Sequence, residues 1–111
     1  MIGEEVAFRS GGLGLAWIRM SDLKINNNSV SSRFEVLVNG KLAFLDYRIE
    51  GDTIFLLYVE VPPAEQGRGI AGMLSRAALE FSRNSGFKVV PRCRFIATYM
   101  RRHPELLGAV R

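Results

Sequence analysis

The chain has 111 residues, 48% of them apolar, one cysteine and a formal charge of +4, which suits one small domain that can bury a core without metal or disulfide staples. The lone Cys93 excludes an internal disulfide and argues against a cysteine-built zinc site, as in a reducing compartment. No apolar run nears the ~18 residues that cross a bilayer, and Glu4 and Glu5 stand where a secretory signal would carry basic residues, so the expected location is cytoplasmic with no membrane partner.

The first elements are weak. Gly11, Gly12 and Gly14 interrupt any helix, and Asn26-Asn27-Asn28-Ser29 reads as loop. Leu13, Leu15, Trp17 and Ile18 are apolar enough to dock somewhere. Residues 1–31 are therefore expected to form a loosely structured N-terminal extension, and residues 32–111 the folded domain. From Ser32 the signals sharpen. Phe34, Val36 and Val38 alternate with Glu35, Leu37 and Asn39, as in a strand. Asn39-Gly40 marks a hairpin, because a type I′ turn needs two residues that tolerate positive φ. Lys41 to Ile49 follows as a second strand, Glu50-Gly51-Asp52 turns, and Thr53 to Val61 is a third strand that Pro62-Pro63 ends. Next, Ile70, Met73, Leu74, Ala77, Ala78 and Phe81 recur at offsets 0, 3, 4, 7, 8 and 11, one apolar helix face. Gly86 suits the stop. Phe87 to Val90 reads as a short strand, parallel to the third because a helix crosses between them. Phe95 to Arg102 is a second helix, ended at His103-Pro104. The order is an antiparallel β-meander followed by α-β-α, an α/β fold with a mixed sheet.

The chemistry sits between the third strand and the first helix, in Gln66-Gly67-Arg68-Gly69-Ile70-Ala71-Gly72. The first N–H groups of a helix lack internal partners, and the macrodipole makes that end positive. Glycine there lets the backbone approach a phosphate, and Arg68 adds a positive charge. Gly67-x-Gly69-x-x-Gly72 also matches the dinucleotide-binding fingerprint. Against that, Pro62 to Gln66 separates the glycines from their strand, and Arg92 and Arg94 lie where an acidic residue is expected about 20 positions on. A third reading is a glycine-rich turn that only caps a helix.

The stretch resembles the pyrophosphate-binding motif of GNAT N-acetyltransferases, with Gln66, Gly69 and Ala71 at the matching positions. The strand ending at Val61-Pro62, the meander, and the parallel strand after the helix fit the same family. Pro91-x-Cys93, Tyr99 and His103-Pro104-Glu105 are similar to a short branch of it, so the likeness spans roughly residues 32–107. The resemblance implies a GNAT-like fold with an acetyl-CoA cleft between splayed parallel strands. Val59 and Val61 would lie along the pantetheine arm, and Gln66, Gly67, Arg68, Gly69, Ile70, Ala71 and Gly72 around the pyrophosphate. The implied reaction moves an acetyl group from acetyl-CoA to an amine of a small molecule or peptide.

Three residues are candidates for the chemistry. Glu60 would be the base for the amine, and a solvent-facing glutamate in a salt bridge is the plainer alternative. The related branch commonly has histidine where this chain has Tyr58, which puts a His–Glu pair in doubt. Tyr99 resembles the tyrosine that protonates the leaving sulfur, or is a packed aromatic with a bonded hydroxyl. Cys93, flanked by Arg92 and Arg94 at a helix start that would favour thiolate, is a candidate nucleophile or a small buried apolar residue. His103, Arg101 and Arg102 complement a helix C-terminus, and the two arginines would alternatively meet the 3′-phosphate of coenzyme A. The acceptor site is expected to be open, built at a homodimer interface, or reduced to a coenzyme-A-binding module with little transfer. A nucleic-acid partner, the other use of the arginines, lacks a reading motif.

Overall fold

The computed structural model describes residues 23–107 and, before them, the backbone of two three-residue strands, β1 (Phe8–Ser10) and β2 (Ala16–Ile18), which pair antiparallel with each other. The docking expected of the Leu13, Leu15, Trp17 and Ile18 side chains falls outside what is described.

Five strands form one sheet in the order β3-β4-β5-β6-β7. They are β3 (Asn26–Asn28), β4 (Arg33–Val38), β5 (Lys41–Glu50), β6 (Thr53–Glu60) and β7 (Lys88–Pro91). β3 to β6 pair antiparallel in succession, and β6 pairs parallel with β7. Helix α1 (Ile70–Ser85) makes the crossover and α2 (Arg94–Arg102) follows β7. This is the mixed α/β sheet expected from the sequence, with one strand more. The β4–β5 turn has φ of 53° at Asn39 and 77° at Gly40, both positive as a type I′ turn requires.

The additional strand is Asn26–Asn28, read from sequence as loop and placed in the N-terminal extension. It pairs with β4 from Asn26↔Glu35 to Asn28↔Arg33. Asparagine is a poor strand former, but tertiary partners override that bias. Asn27 Oδ1 accepts a bond of 2.7 Å from the Tyr47 hydroxyl, and Asn28 Nδ2 donates to Glu35 at 3.1 Å. Burial pushes the Tyr47 pKa above its ordinary value, against the opposing effect of the Asn27 bond.

The core lies between the inner sheet face and the helices. Phe34, Val36, Val38, Ala43, Leu45, Ile54 and Leu56 meet Leu74, Ala78 and Leu79 of α1 and Ile96 of α2, all buried. Ser75 and Ser82 are also fully buried on α1. Their hydroxyls donate to the carbonyls four residues earlier, Ala71 at 2.8 Å and Ala78 at 2.7 Å, which satisfies them inside the core. The opposite sheet face carries Glu35, Phe44, Asp46, Phe55 and Tyr58, and Leu37 there is 62% exposed, so no described helix covers it.

Replacing Tyr47→Phe keeps the ring and deletes the bond to Asn27. It should cost about 1 kcal/mol and speed amide exchange at residues 26–28 more than in β5. Denaturant unfolding with hydrogen exchange checks this; unchanged exchange at β3 would mean that the backbone ladder alone holds it.

Candidate active site

The site begins where the parallel ladder stops. β6 and β7 stay in register from Thr53↔Lys88 to Leu56↔Pro91, and Arg92 N–H donates to Leu56 O at 2.8 Å at that end. β6 continues to Glu60 with β5 as its only ladder partner. Leu57 is an extra residue in it: Tyr47 faces Leu56 and Asp46 faces Tyr58, so a β-bulge bends the strand there. Pro91 ends β7 on the sheet edge, where its missing N–H interrupts no ladder bond.

The diverging chains leave a cleft of about 350 Å³. Val59 and Val61 form one wall, Cys93 and Phe95 the other, and the start of α1 the floor. Every residue expected to bind the cofactor lines this cleft except Arg68, whose Nε lies 3.9 Å from Glu65. The floor is shaped by Gly67 and Gly69, with φ of 83° and 86°, a region costly for residues with a Cβ. The Gln66 side chain ties the loop back by donating to Val61 O at 3.0 Å. Gly69 is the N-cap of α1, and no side chain caps it. The first helical bond runs from Met73 N–H to Gly69 O at 3.0 Å, so the N–H groups of Ile70, Ala71 and Gly72 precede it. Open donors and the positive end of a 16-residue helix therefore face one cleft.

The three chemistry candidates are placed differently. Cys93 is half-buried, lines the cleft and is the N-cap of α2. Of its flanking arginines, Arg92 is drawn away, its guanidinium 5.3 Å from the Phe55 ring centre on the outer sheet face. Glu60 is exposed on that outer face, paired across from Phe44, and its carboxylate makes no ion pair or hydrogen bond with another described residue, although its charge helps to raise the Tyr58 pKa. It does not line the cleft. Beside it, Tyr58 is held protonated: its hydrogen bond to Asp46, then the Asp46 charge, raise its pKa. Asp46 is in turn gripped by Arg33, with Nε at 2.7 Å and the second nitrogen at 3.2 Å.

Tyr99 packs on α1, behind the floor. Its ring is stacked on His103 with centres 4.0 Å apart, and its hydrogen bond with Arg76 is the first cause that holds that guanidinium pKa above its ordinary value. His103 Nδ1 lies 3.0 Å from Tyr99 O; a carbonyl only accepts, so Nδ1 carries the proton. His103 thus closes an open carbonyl at the helix end.

This geometry has counterparts. The model of the GCN5-related N-acetyl-transferase family matches residues 33–109. The chain belongs to that family. It is 33% identical over 87 residues to Protein NATD1 of Xenopus tropicalis, covering 76% of this chain and 80% of that one. Protein NATD1 of Mus musculus is 34% identical over 85 residues, with 74% and 77% covered. A solution NMR structure of a GCN5-like protein from Staphylococcus aureus superposes with a TM-score of 0.63 at 22% identity, over 83% of this chain and 91% of that one, a likeness of fold.

Two residues of this GCN5-related domain escaped the sequence reading. Phe95 was read as a helix residue only, yet it walls the cleft, and its place two residues after Cys93 was the available signal. Glu65 also lines the cleft although only 5% exposed; a carboxylate in a proline-led loop carries no sequence sign of burial. Gly72 has a reason the motif alone does not give. A Cβ built there would lie 3.3 Å from Tyr99 Cε2. For Gly72→Ala, a helix-propensity gain of up to ~1 kcal/mol offsets that slight crowding, so stability should stay within about 1 kcal/mol. Gly72→Leu should lose about 1–3 kcal/mol by overpacking. Thermal unfolding of the two variants checks this; equal stabilities would mean that Tyr99 yields freely.

Proposed function

We propose that this domain binds acetyl-coenzyme A in the β6–β7 cleft and transfers the acetyl group to an amine of a small molecule or peptide. The observation that carries this is the uncapped N-terminus of α1, opening into the gap between the splayed strands. The residues present suit the group. A diphosphate needs donors and positive potential at close range, and Ile70, Ala71 and Gly72 offer N–H groups over a floor where Gly67 and Gly69 have no Cβ. The amides of the pantetheine arm need partners, and the edge of β6 beyond Leu56 carries backbone groups without a ladder partner on that side. Val59 and Val61 add apolar walls that exclude water.

Acetyl-coenzyme A supplies an activated acyl group as a thioester. The chain's part is to place an amine beside it and take a proton from that amine. Glu60 stands on the sheet face opposite α1, at the end of β6 where the strands part, and takes the base role for an amine entering from that face. The Arg76 guanidinium only donates, so the Tyr99 phenol keeps its own proton to give, and the acid role requires its ring to reach the leaving sulfur from behind Gly72. A second reading is favoured by the placement of Cys93 in the cleft wall: its sulfur receives the acetyl group first and passes it to the amine.

Gly69→Asp should weaken acetyl-coenzyme A binding at least 100-fold, since like charges at ~4 Å repel by about 4 kcal/mol at an effective dielectric of 20. Titration calorimetry on the folded variant measures this; unchanged affinity would remove the cleft as the cofactor site. Glu60→Gln should cut turnover by ~10²–10⁴ with affinity within twofold, and equal loss of both would make Glu60 structural. Cys93→Ala separates the two routes: direct transfer keeps turnover, whereas the covalent route loses it. A protein that binds tightly and transfers to no amine would be a coenzyme-A-binding module.

A further inference from the structure

Glu65 is the feature the proposed function leaves unexplained. It is a carboxylate, 5% exposed, in the wall of a cleft assigned to an anion. Alone it would repel a diphosphate and resist burial. It is retained between two donors from opposite sides. Asn39 Nδ2 donates to both of its oxygens at 3.2 Å, and Arg68 Nε lies 3.9 Å away. Asn39 belongs to the β4–β5 hairpin turn, 26 residues earlier in the chain.

The orientation of Asn39 reports what this contact demands. A carboxylate only accepts, so the amide must turn its nitrogen to Glu65. Its oxygen is then buried without a partner among the described residues. A turn asparagine free to choose would satisfy both ends. The backbone at Asn39 is in the left-handed region, φ 53°, as the hairpin turn itself requires.

We infer that Glu65 is a positioning residue: it braces the cofactor loop against the β4–β5 turn and holds Arg68 beside the helix N-terminus. This inference rests on the proposed coenzyme A site for its purpose, and on the Asn39–Glu65–Arg68 contacts for its existence. With the brace in place the loop from Pro63 to Gly69 presents its donors already arranged, and the carboxylate field is matched by its partners. Without it the loop must be ordered by the ligand, which weakens binding and leaves chemistry at saturation unchanged.

The test uses Glu65→Met, which keeps the length of the side chain and removes both acceptor oxygens, and Asn39→Gly, which keeps the left-handed turn and removes the amide. Each is measured by amide hydrogen exchange without ligand and by titration with acetyl-coenzyme A. The expected result is roughly tenfold faster exchange at residues 63–72 with unchanged exchange in β5 for both variants, and about tenfold weaker binding for Asn39→Gly, which leaves the charge of the cleft unaltered. The double variant should be no worse than either single one, because both remove the same contact. Any acetyl transfer measured at saturating acetyl-coenzyme A should keep its rate in Asn39→Gly, whose residue lies outside the cleft. Faster loop exchange in a protein whose parent binds no acetyl-coenzyme A would keep the brace and overturn the proposed cofactor. Loop exchange at the parent rate in both variants would overturn the brace. Should Glu65→Met fail to fold, Asn39→Gly alone decides: exchange faster only at residues 39–40 overturns the inference, and exchange faster at 63–72 upholds it.

Discussion

The parting of β6 and β7 at Leu56 and Pro91 is the constraint on which the rest depends. A parallel pair that stayed in register would consume the backbone groups of β6 and leave no room at the head of α1. Because the ladder stops there, and the Leu57 bulge bends β6, an open strand edge and an open helix end face each other across one cleft. Both are backbone features. The side chains mainly wall the space and hold the loop.

The two faces of the sheet then divide the work. On the inner face the cleft meets the positive end of α1, a setting for phosphates. On the outer face Glu60, Tyr58, Asp46 and Arg33 form a polar surface beside Phe44, whose ring lies 3.8 Å from the Arg33 guanidinium. The bulge connects the two, since the extra residue keeps Tyr58 and Glu60 outward while Val59 stays inward. A group reaching the splay from the inner face and an amine approaching from the outer face would meet at the same strand end.

Much of this was legible in the sequence because the signals are local. Alternation placed β4, the Asn39-Gly40 pair placed its turn, and the apolar offsets from Ile70 to Phe81 placed α1. The glycines at 67 and 69 pointed to the loop because few other residues accept its backbone. What stayed hidden depends on partners distant in sequence. Asn26–Asn28 became a strand through Tyr47 and Glu35. Glu65 became buried through Asn39. Tyr99 faces Gly72 and Arg76 rather than the cleft because of how α2 packs on α1, which no spacing within α2 encodes. Ser75 and Ser82 entered the core because a helix supplies acceptors for their hydroxyls from its own backbone.

The most direct measurement is isothermal titration of the purified protein with acetyl-coenzyme A, with NADP as the control for a generic phosphate-binding helix end. Saturable binding of acetyl-coenzyme A at one site per chain, with no heat from NADP, is the expected result. No binding of acetyl-coenzyme A, or equal binding of both, would contradict a cleft built for coenzyme A and reduce the glycine loop to a helix cap or a general anion site.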